Sequence, residues 1–394
     1  MSTVLAHESE LGFEMGGPAY RLMQRIGLIR GEGPCIGRRY VAFLLITWVP
    51  LLVFSLIEGR AMGATPRESF LLDFATYARF FLAIPLLFMA EAVAGPRLRA
   101  AGLHFVKADF IRPADVPAVE AAVVRTRRRR EALLPELVIL GIALSGAWFT
   151  VETWSGSSAA ASWSSVAGPD GTGLSLTGLW YYVVAVPVLQ FFAFRWLWRL
   201  IIWTLFLREM ARLDLATVPT HADGAGGLGF LGTAHLSIAI FPFAVSCILS
   251  AHVAFQLYFE SASIEAFKGL LVVYLIAVEV ICLGPLLLFV PLLARARRQG
   301  LRQYSQLGDT LNRAFEQKWV DGAPTDERFL GSQDISSVCD YSTCFRLIQD
   351  MRVIPFTRQQ VIQIAIVAML PCLPLAFLVL PVGELLKLLA KALV

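Results

Sequence analysis

Arg79 and Glu279 each stand inside a long apolar run, in similar local settings. Arg79 comes six residues before Pro85-Leu-Leu-Phe, and Glu279 six before Pro285-Leu-Leu-Leu-Phe. A charge inside hydrocarbon is costly and needs a partner or water. At 1.5 Å per residue, both residues fall ~15 Å from the same side of a ~30 Å apolar layer, close to its middle. The sequence therefore predicts an Arg79–Glu279 ion pair, which either holds two helices in register or lines a pathway. The preceding runs carry Pro50 and Pro242. A parallel repeat of two helical hairpins would leave such a pattern, and so would chance among residues this common in apolar helices.

The most unusual local string is Pro219 to Phe230, with four glycines between Asp223 and Phe230. Glycines allow positive φ, and free N–H groups at a helix start can hold an anion. His221, Asp223, Gly226 and Gly227 are therefore candidate anion or ligand residues. The plainer alternative is a capped, tightly turned helix start. No Lys-Ser/Thr follows, so the string is not a phosphate-binding P-loop, and no strand precedes it as in a dinucleotide fold.

Arg195 and Arg199 lie in Phe194-Arg-Trp-Leu-Trp-Arg199. Counted along a helix, Arg195 falls ~28 Å from the start of its run. That suits a tryptophan belt at the inner interface, with arginines reaching towards water. If the run sits further inward, the two become a buried anion site. Arg127, Arg128, Arg129 and Arg130 crowd a basic rim before another apolar run. Such a rim either attracts anionic lipid headgroups or only sets orientation. His235 and His252 bracket one run and read as hydrogen-bonded packing residues. Asp73, Glu91, Glu136, Glu152 and Glu260 fall near the ends of runs, where water can reach them.

No Ser/His/Asp set, HExxH or paired-carboxylate spacing names a reaction. The six cysteines show no CxxC or metal spacing. The sequence thus calls for no cofactor and no metal, and leans away from an enzyme.

The elements that position these residues follow from hydropathy. The chain has 394 residues, 57% of them apolar and 16% charged, and a mean hydropathy of +0.64. Soluble domains carry more charge. The apolar residues form runs long enough to cross a bilayer as helices, without the alternation of a β-barrel. The predicted fold is an all-α polytopic membrane bundle with seven spans at 40–58, 71–93, 133–154, 176–206, 234–258, 269–293 and 361–380.

Basic residues concentrate in three places: the N-terminal segment 1–39, nine in 94–132 and ten in 294–360. The intervening connections are poor in them: two in 59–70, none in 155–175, one in 259–268. This asymmetry predicts a cytoplasmic N-terminus and an outer C-terminus. The chain divides into 1–39 cytoplasmic, 40–93 first hairpin, 94–132 cytoplasmic connection, 133–293 central spans, 294–360 cytoplasmic connection and 361–394 final span. The first apolar run starts only at Tyr40, so no cleavable leader is expected.

Both long connections read as helical. Leu301, Tyr304, Leu311, Phe315 and Trp319 recur at helical spacing. A further helix is expected from near Asp334 to before Pro355, and another from near Asp115, with Pro117 in its first turn. The Ser/Gly/Ala-rich 155–175 stretch reads as a flexible outer loop. Gly383–Val394 is amphipathic and too short to span.

The string from His221 to Phe230, the segment Asp350-Met-Arg-Val-Ile-Pro-Phe356 and the ending from Pro371 to Val394 together resemble a group of uncharacterised bacterial inner-membrane proteins. The resemblance rests on short motifs. It implies an inner (plasma) membrane location and supplies no activity or site residue.

Three classes of function follow. A channel or transporter for an ion or small solute is favoured by the number of spans and the mid-membrane charges. A membrane-embedded sensor, scaffold or assembly partner is favoured by the cytoplasmic helices. A lipid-active enzyme has only the His221/Asp223 segment in its favour. Expected partners are the phospholipid bilayer, with anionic headgroups, and a further copy of the chain. Nucleic acid is not expected.

Overall fold

The computed structural model describes residues 12–13, 16–29, 35–154, 162–168, 171–259, 262–322 and 332–379. The amphipathic ending 383–394, Glu260 and the side chain of Glu152 lie outside that description. The helices are α1 (Pro18–Arg25), α2 (Ile36–Ile57), α3 (Phe74–Lys107), α4 (Val116–Glu131), α5 (Leu133–Trp154), α6 (Leu176–Met210), α7 (Phe230–Phe259), α8 (Glu265–Trp319), α9 (Gln333–Gln349) and α10 (Arg358–Ala376). Six of them, α2, α3, α6, α7, α8 and α10, are long and apolar enough to cross a membrane. The seventh expected span forms the helix α5, apolar over Leu133–Gly146. The chain is a helical multi-pass membrane protein.

Prolines explain where these long helices depart from regular geometry. Proline lacks an N–H, and its ring clashes with the carbonyl four residues back. The turn before Pro85 in α3 widens into a π segment, Ala78–Ala83. The turn before Pro187 in α6 does the same over Tyr181–Ala185. Around Pro285, α8 tightens into a 3₁₀ segment, Gly284–Phe289, and α10 does so at Leu370–Cys372 around Pro371. In α2 the regular helix is interrupted at Thr47, three residues before Pro50.

The core is aromatic. Phe80, Phe88, Phe105, Trp203, Phe206 and Phe289 are all fully buried. Around it, α6 packs on α5 and α4, α7 on α3, and α10 on α8 and α7. Many apolar side chains of the long helices are exposed, among them Leu45, Leu56, Leu140, Val273, Ile276 and Ile366. Such a girdle is what hydrocarbon solvates.

Two ends of the bundle can be told apart. At the basic end lie α1, α4, the distal half of α8, and α9. The distal half of α8 pairs with α9. Tyr341 Oη donates to the Tyr304 carbonyl at 2.6 Å, and Tyr341 lies tight against Gly308. Leu301, Tyr304, Leu311, Phe315 and Trp319 are half-buried, as an apolar face requires. The N-cap of α9 is Ser332 rather than Asp334; its hydroxyl accepts from the Asp334 amide.

At the other end, the 155–175 stretch is described over 162–168 and 171–175, and there it is not the loose loop expected from its composition. It forms an antiparallel hairpin, β1 (Ser165–Gly168) with β2 (Gly171–Leu174). Arg60 ties it down by donating from Nη1 to the carbonyls of Ser162 at 2.8 Å and Ser165 at 2.5 Å. Glu58 caps the start of α6, accepting from the amides of Leu176 at 2.7 Å and Thr177 at 3.1 Å.

Candidate functional site

The two π segments face a common space. Arg79 comes from the first, Tyr181 and Tyr182 from the second, and both segments line a cavity of about 820 Å³. That volume lies within the range of small-molecule sites, roughly 300–1,000 Å³. The walls come from α3, α5, α6, α7 and α8, with the hairpin at one end. A π turn shifts side chains relative to regular helix and recurs at functional sites. Here it brings Arg79 and Tyr181 together, with the guanidinium carbon 5.9 Å from the ring centre.

Polar groups gather at the hairpin end. Arg67, Arg79, His252, Gln256 and Ser164 all contribute to the lining. Asp73 is there too, but its oxygens are already engaged. Oδ1 accepts from the amides of Ala75 at 2.9 Å and Thr76 at 3.3 Å. Oδ2 accepts from Thr76 Oγ1 at 2.7 Å and Trp163 Nε1 at 3.0 Å. This carboxylate fixes the start of α3 and holds Trp163 in place. Deeper in, the lining turns apolar through Ala83, Leu87, Leu189, Ala193, Leu197 and Val278.

The cavity stops before the basic end. Trp196 stacks on Phe241 with ring centres 5.1 Å apart and planes at 16°. Behind this stack lies a buried ionic cluster. Glu91 meets Arg39 at 2.6 Å, Arg195 at 3.5 Å and Arg199 at closer range. Arg195 Nε also reaches Glu136 at 3.2 Å, and Glu136 accepts from the Ala19 amide at 2.7 Å. The N-terminal stretch seals the cluster: the Gly16 carbonyl accepts from Arg195 at 3.2 Å, and Phe13 packs edge-on against Trp203. Three guanidiniums thus share two carboxylates among aromatic rings, and Arg39 also lies 4.3 Å over Phe88.

This geometry corrects several expectations. Arg79 and Glu279 do not pair. Arg79 faces the cavity, whereas both Glu279 oxygens are buried without a hydrogen-bond partner among the described residues. On α8 it is Tyr274, Ala277, Val278, Ile281 and Cys282 that line the cavity. Glu279 follows Val278 by about 100° around the helix and so points elsewhere. Arg195 and Arg199 do not reach for the interface; they are 2% and 8% exposed and neutralised by Glu91 and Glu136. Glu91 and Glu136 are correspondingly not solvated at span ends.

The glycine string is tightly turned, with φ of +62°, +64° and +93° at Gly224, Gly226 and Gly227. Its amides already hold an anion, the carboxylate of Asp223. Ala225, Gly227 and Gly229 donate to it at 2.8, 3.0 and 2.7 Å, and His221 Nδ1 lies 2.9 Å away. Burial opposes ionisation of Asp223, but these donors outweigh it and hold its carboxyl below the usual range. The string is a self-satisfied turn that packs on Met351 and Arg352, at the opposite end from the cavity.

Within the basic rim, Arg129 pairs with Glu209 at 2.9 Å and Arg130 with Glu131 at 3.3 Å, so these two serve the protein itself. Arg127 and Arg128 are exposed. His235 is the packing residue expected: Trp203 Nε1 donates to its Nε2 at 2.8 Å, which leaves Nδ1 to donate to the Cys282 carbonyl at 2.6 Å. His252 instead lines the cavity. Among the described residues no group of side chains could hold a metal ion.

Sequence reasoning gave no role to Trp163 or Arg39, and it set Asp73 and Glu91 within reach of water, whereas the fold engages both inside the bundle. The Trp163 signal was available: a lone tryptophan in a polar, small-residue stretch needs somewhere to bury its ring.

Compared with family models, curated proteins and solved structures, the chain gives no match.

Proposed function

We propose that the protein is a carrier that takes a small solute into the cavity from the hairpin side and releases it at the basic side. The observation that supports this reading is the cavity itself: five helices wall it, the hairpin borders its polar end, and Phe241, stacked on Trp196, borders it towards the basic end. An open channel would need a continuous path. A one-sided cavity is the form a carrier takes in one of its two states. On the lysine and arginine distribution, the hairpin side is the outer face of the membrane. A lipid-active site beside His221 has no support, since His221 lies outside the cavity lining.

A second reading, a scaffold that docks other proteins, draws support from the α8–α9 pair, where Leu307 is 56% and Leu347 38% exposed.

The test is access to Ala193, deep in the cavity. Ala193→Cys is placed in sealed vesicles of either orientation and treated with a membrane-impermeant maleimide. Adducts at position 193 are located by peptide mapping. A carrier in this state labels from the hairpin side alone. Labelling from both sides would make it a channel, and labelling from neither would leave a structural void.

A further inference from the structure

We infer that the cavity takes an amphipathic molecule with an anionic head and a single apolar tail, the head at Arg79 and the tail running towards Leu197. This rests on the reading of the cavity as a binding site and names the class of ligand.

The Arg79 guanidinium points to an anion. It borders the cavity, as do Arg67 and His252. Asp73 is the one carboxylate among the described lining residues. Its four accepted hydrogen bonds leave it little capacity for a ligand's cation. Arg79 has no carboxylate within salt-bridge distance among the described residues; it rests on the Tyr181 ring. A guanidinium in an apolar span is costly unless something compensates its charge. The ring compensates weakly, and a ligand carboxylate or phosphate, accepting from the fork of N–H groups, would do so far better.

The shape calls for a tail. Inward from Arg79 the lining is Ala83, Leu87, Val186, Leu189, Ala193 and Leu197, with Gln190 the one polar side chain that α6 adds at that depth. A small inorganic anion would leave this apolar surface wet, and a purely apolar solute would leave the guanidinium without an anion. A molecule with both parts satisfies both surfaces. It would lie as a bilayer lipid lies, with its head towards the hairpin end and its tail towards the middle of the span.

A fatty acid and a single-chain phospholipid share this chemistry, so both head types belong in the test. The full chain is placed in nanodiscs of phosphatidylcholine, and melting is followed with added decyl phosphate, decanoate, decanol, decyltrimethylammonium and inorganic phosphate. Decyl phosphate or decanoate should raise the melting temperature saturably, and the more effective of the two identifies the head. Decanol, decyltrimethylammonium and inorganic phosphate should not. Arg79→Gln should weaken binding about tenfold, the scale of one lost charge-assisted contact, and Arg79→Lys should recover part of it. If Arg79→Gln fails to fold, the ranking of the five additives on the unchanged protein decides alone.

Equal shifts from decanol or decyltrimethylammonium would overturn the inference. So would an unchanged affinity in a folded Arg79→Gln protein. If no amphiphile binds while Ala193→Cys still labels from the hairpin side alone, the ligand class is wrong and the carrier reading stands. If Ala193→Cys labels from both sides, the carrier reading itself has failed.

Discussion

Arg352 donates from Nη2 to the main-chain carbonyl of Asp223 at 2.7 Å, across 129 residues of sequence. Its own amide donates to the Gly224 carbonyl at 2.8 Å. The glycine turn before α7 and the segment before α10 are thereby one unit, and this unit fixes where both helices begin.

Asp223 holds that unit together from within. Replacing it with alanine strands three amides that now share one carboxylate, at a cost on the order of 1–3 kcal/mol. The pH dependence follows from its lowered pKa in the fold. The stabilisation is complete above the ordinary aspartate value, near ~3.9, and is lost as pH falls through the still lower folded value. The wild-type melting temperature should therefore fall in acid more steeply than that of Asp223→Asn. Parallel acid slopes would remove Asp223 from the account.

The ionic cluster should respond unequally to its members. Glu91 serves three guanidiniums, so Glu91→Ala leaves buried charge uncompensated and should cost roughly 3–5 kcal/mol, enough to abolish a folded monodisperse peak in detergent. Arg195→Leu should be milder, because Glu91 keeps Arg39 and Arg199. Equal losses from the two changes would show that the cluster does not centre on Glu91.

Arg79 and Glu279 should be energetically independent. Their single leucine variants and the double variant form a cycle in detergent melting, and the interaction energy should be within about 0.5 kcal/mol of zero. Glu279→Leu alone should raise stability, since it removes a buried carboxylate that has no hydrogen-bond partner among the described residues. A destabilised Glu279→Leu would mean that its carboxylate has a partner.

Gly178 near the start of α6 lies against the main chain of Ser164, where an added Cβ would meet the carbonyl oxygen at 2.0 Å. Gly178→Ala should therefore lift the hairpin and draw Trp163 from between Phe70 and Tyr181. Trp163 fluorescence, isolated by comparison with Trp163→Phe, should shift to the red and become open to a water-soluble quencher. An unshifted spectrum would show that the hairpin yields without moving Trp163.

The spans and the two basic connections were legible in the sequence because bilayer thickness acts on local composition: a helix must carry about twenty apolar residues whatever its neighbours. The prolines were legible for the same local reason, and they do mark the irregular turns. Counting residues set Arg79 and Glu279 at matching places along their helices. It could not set their directions around the helix axes, because rotation is set by packing between helices rather than by length.

What tertiary structure decided is who partners whom. Arg195 and Glu91 stand 104 residues apart, and nothing near either one names the other. Asp223 looked like one member of an anion site and proved to be the anion, because the nearest acceptor takes a ring of free amides. The cavity belongs to no single segment. It exists because two widened turns, a buried tryptophan from a hairpin and one face of α8 meet. Local sequence sets the length, polarity and breaks of each helix; only packing among distant segments sets the space between them.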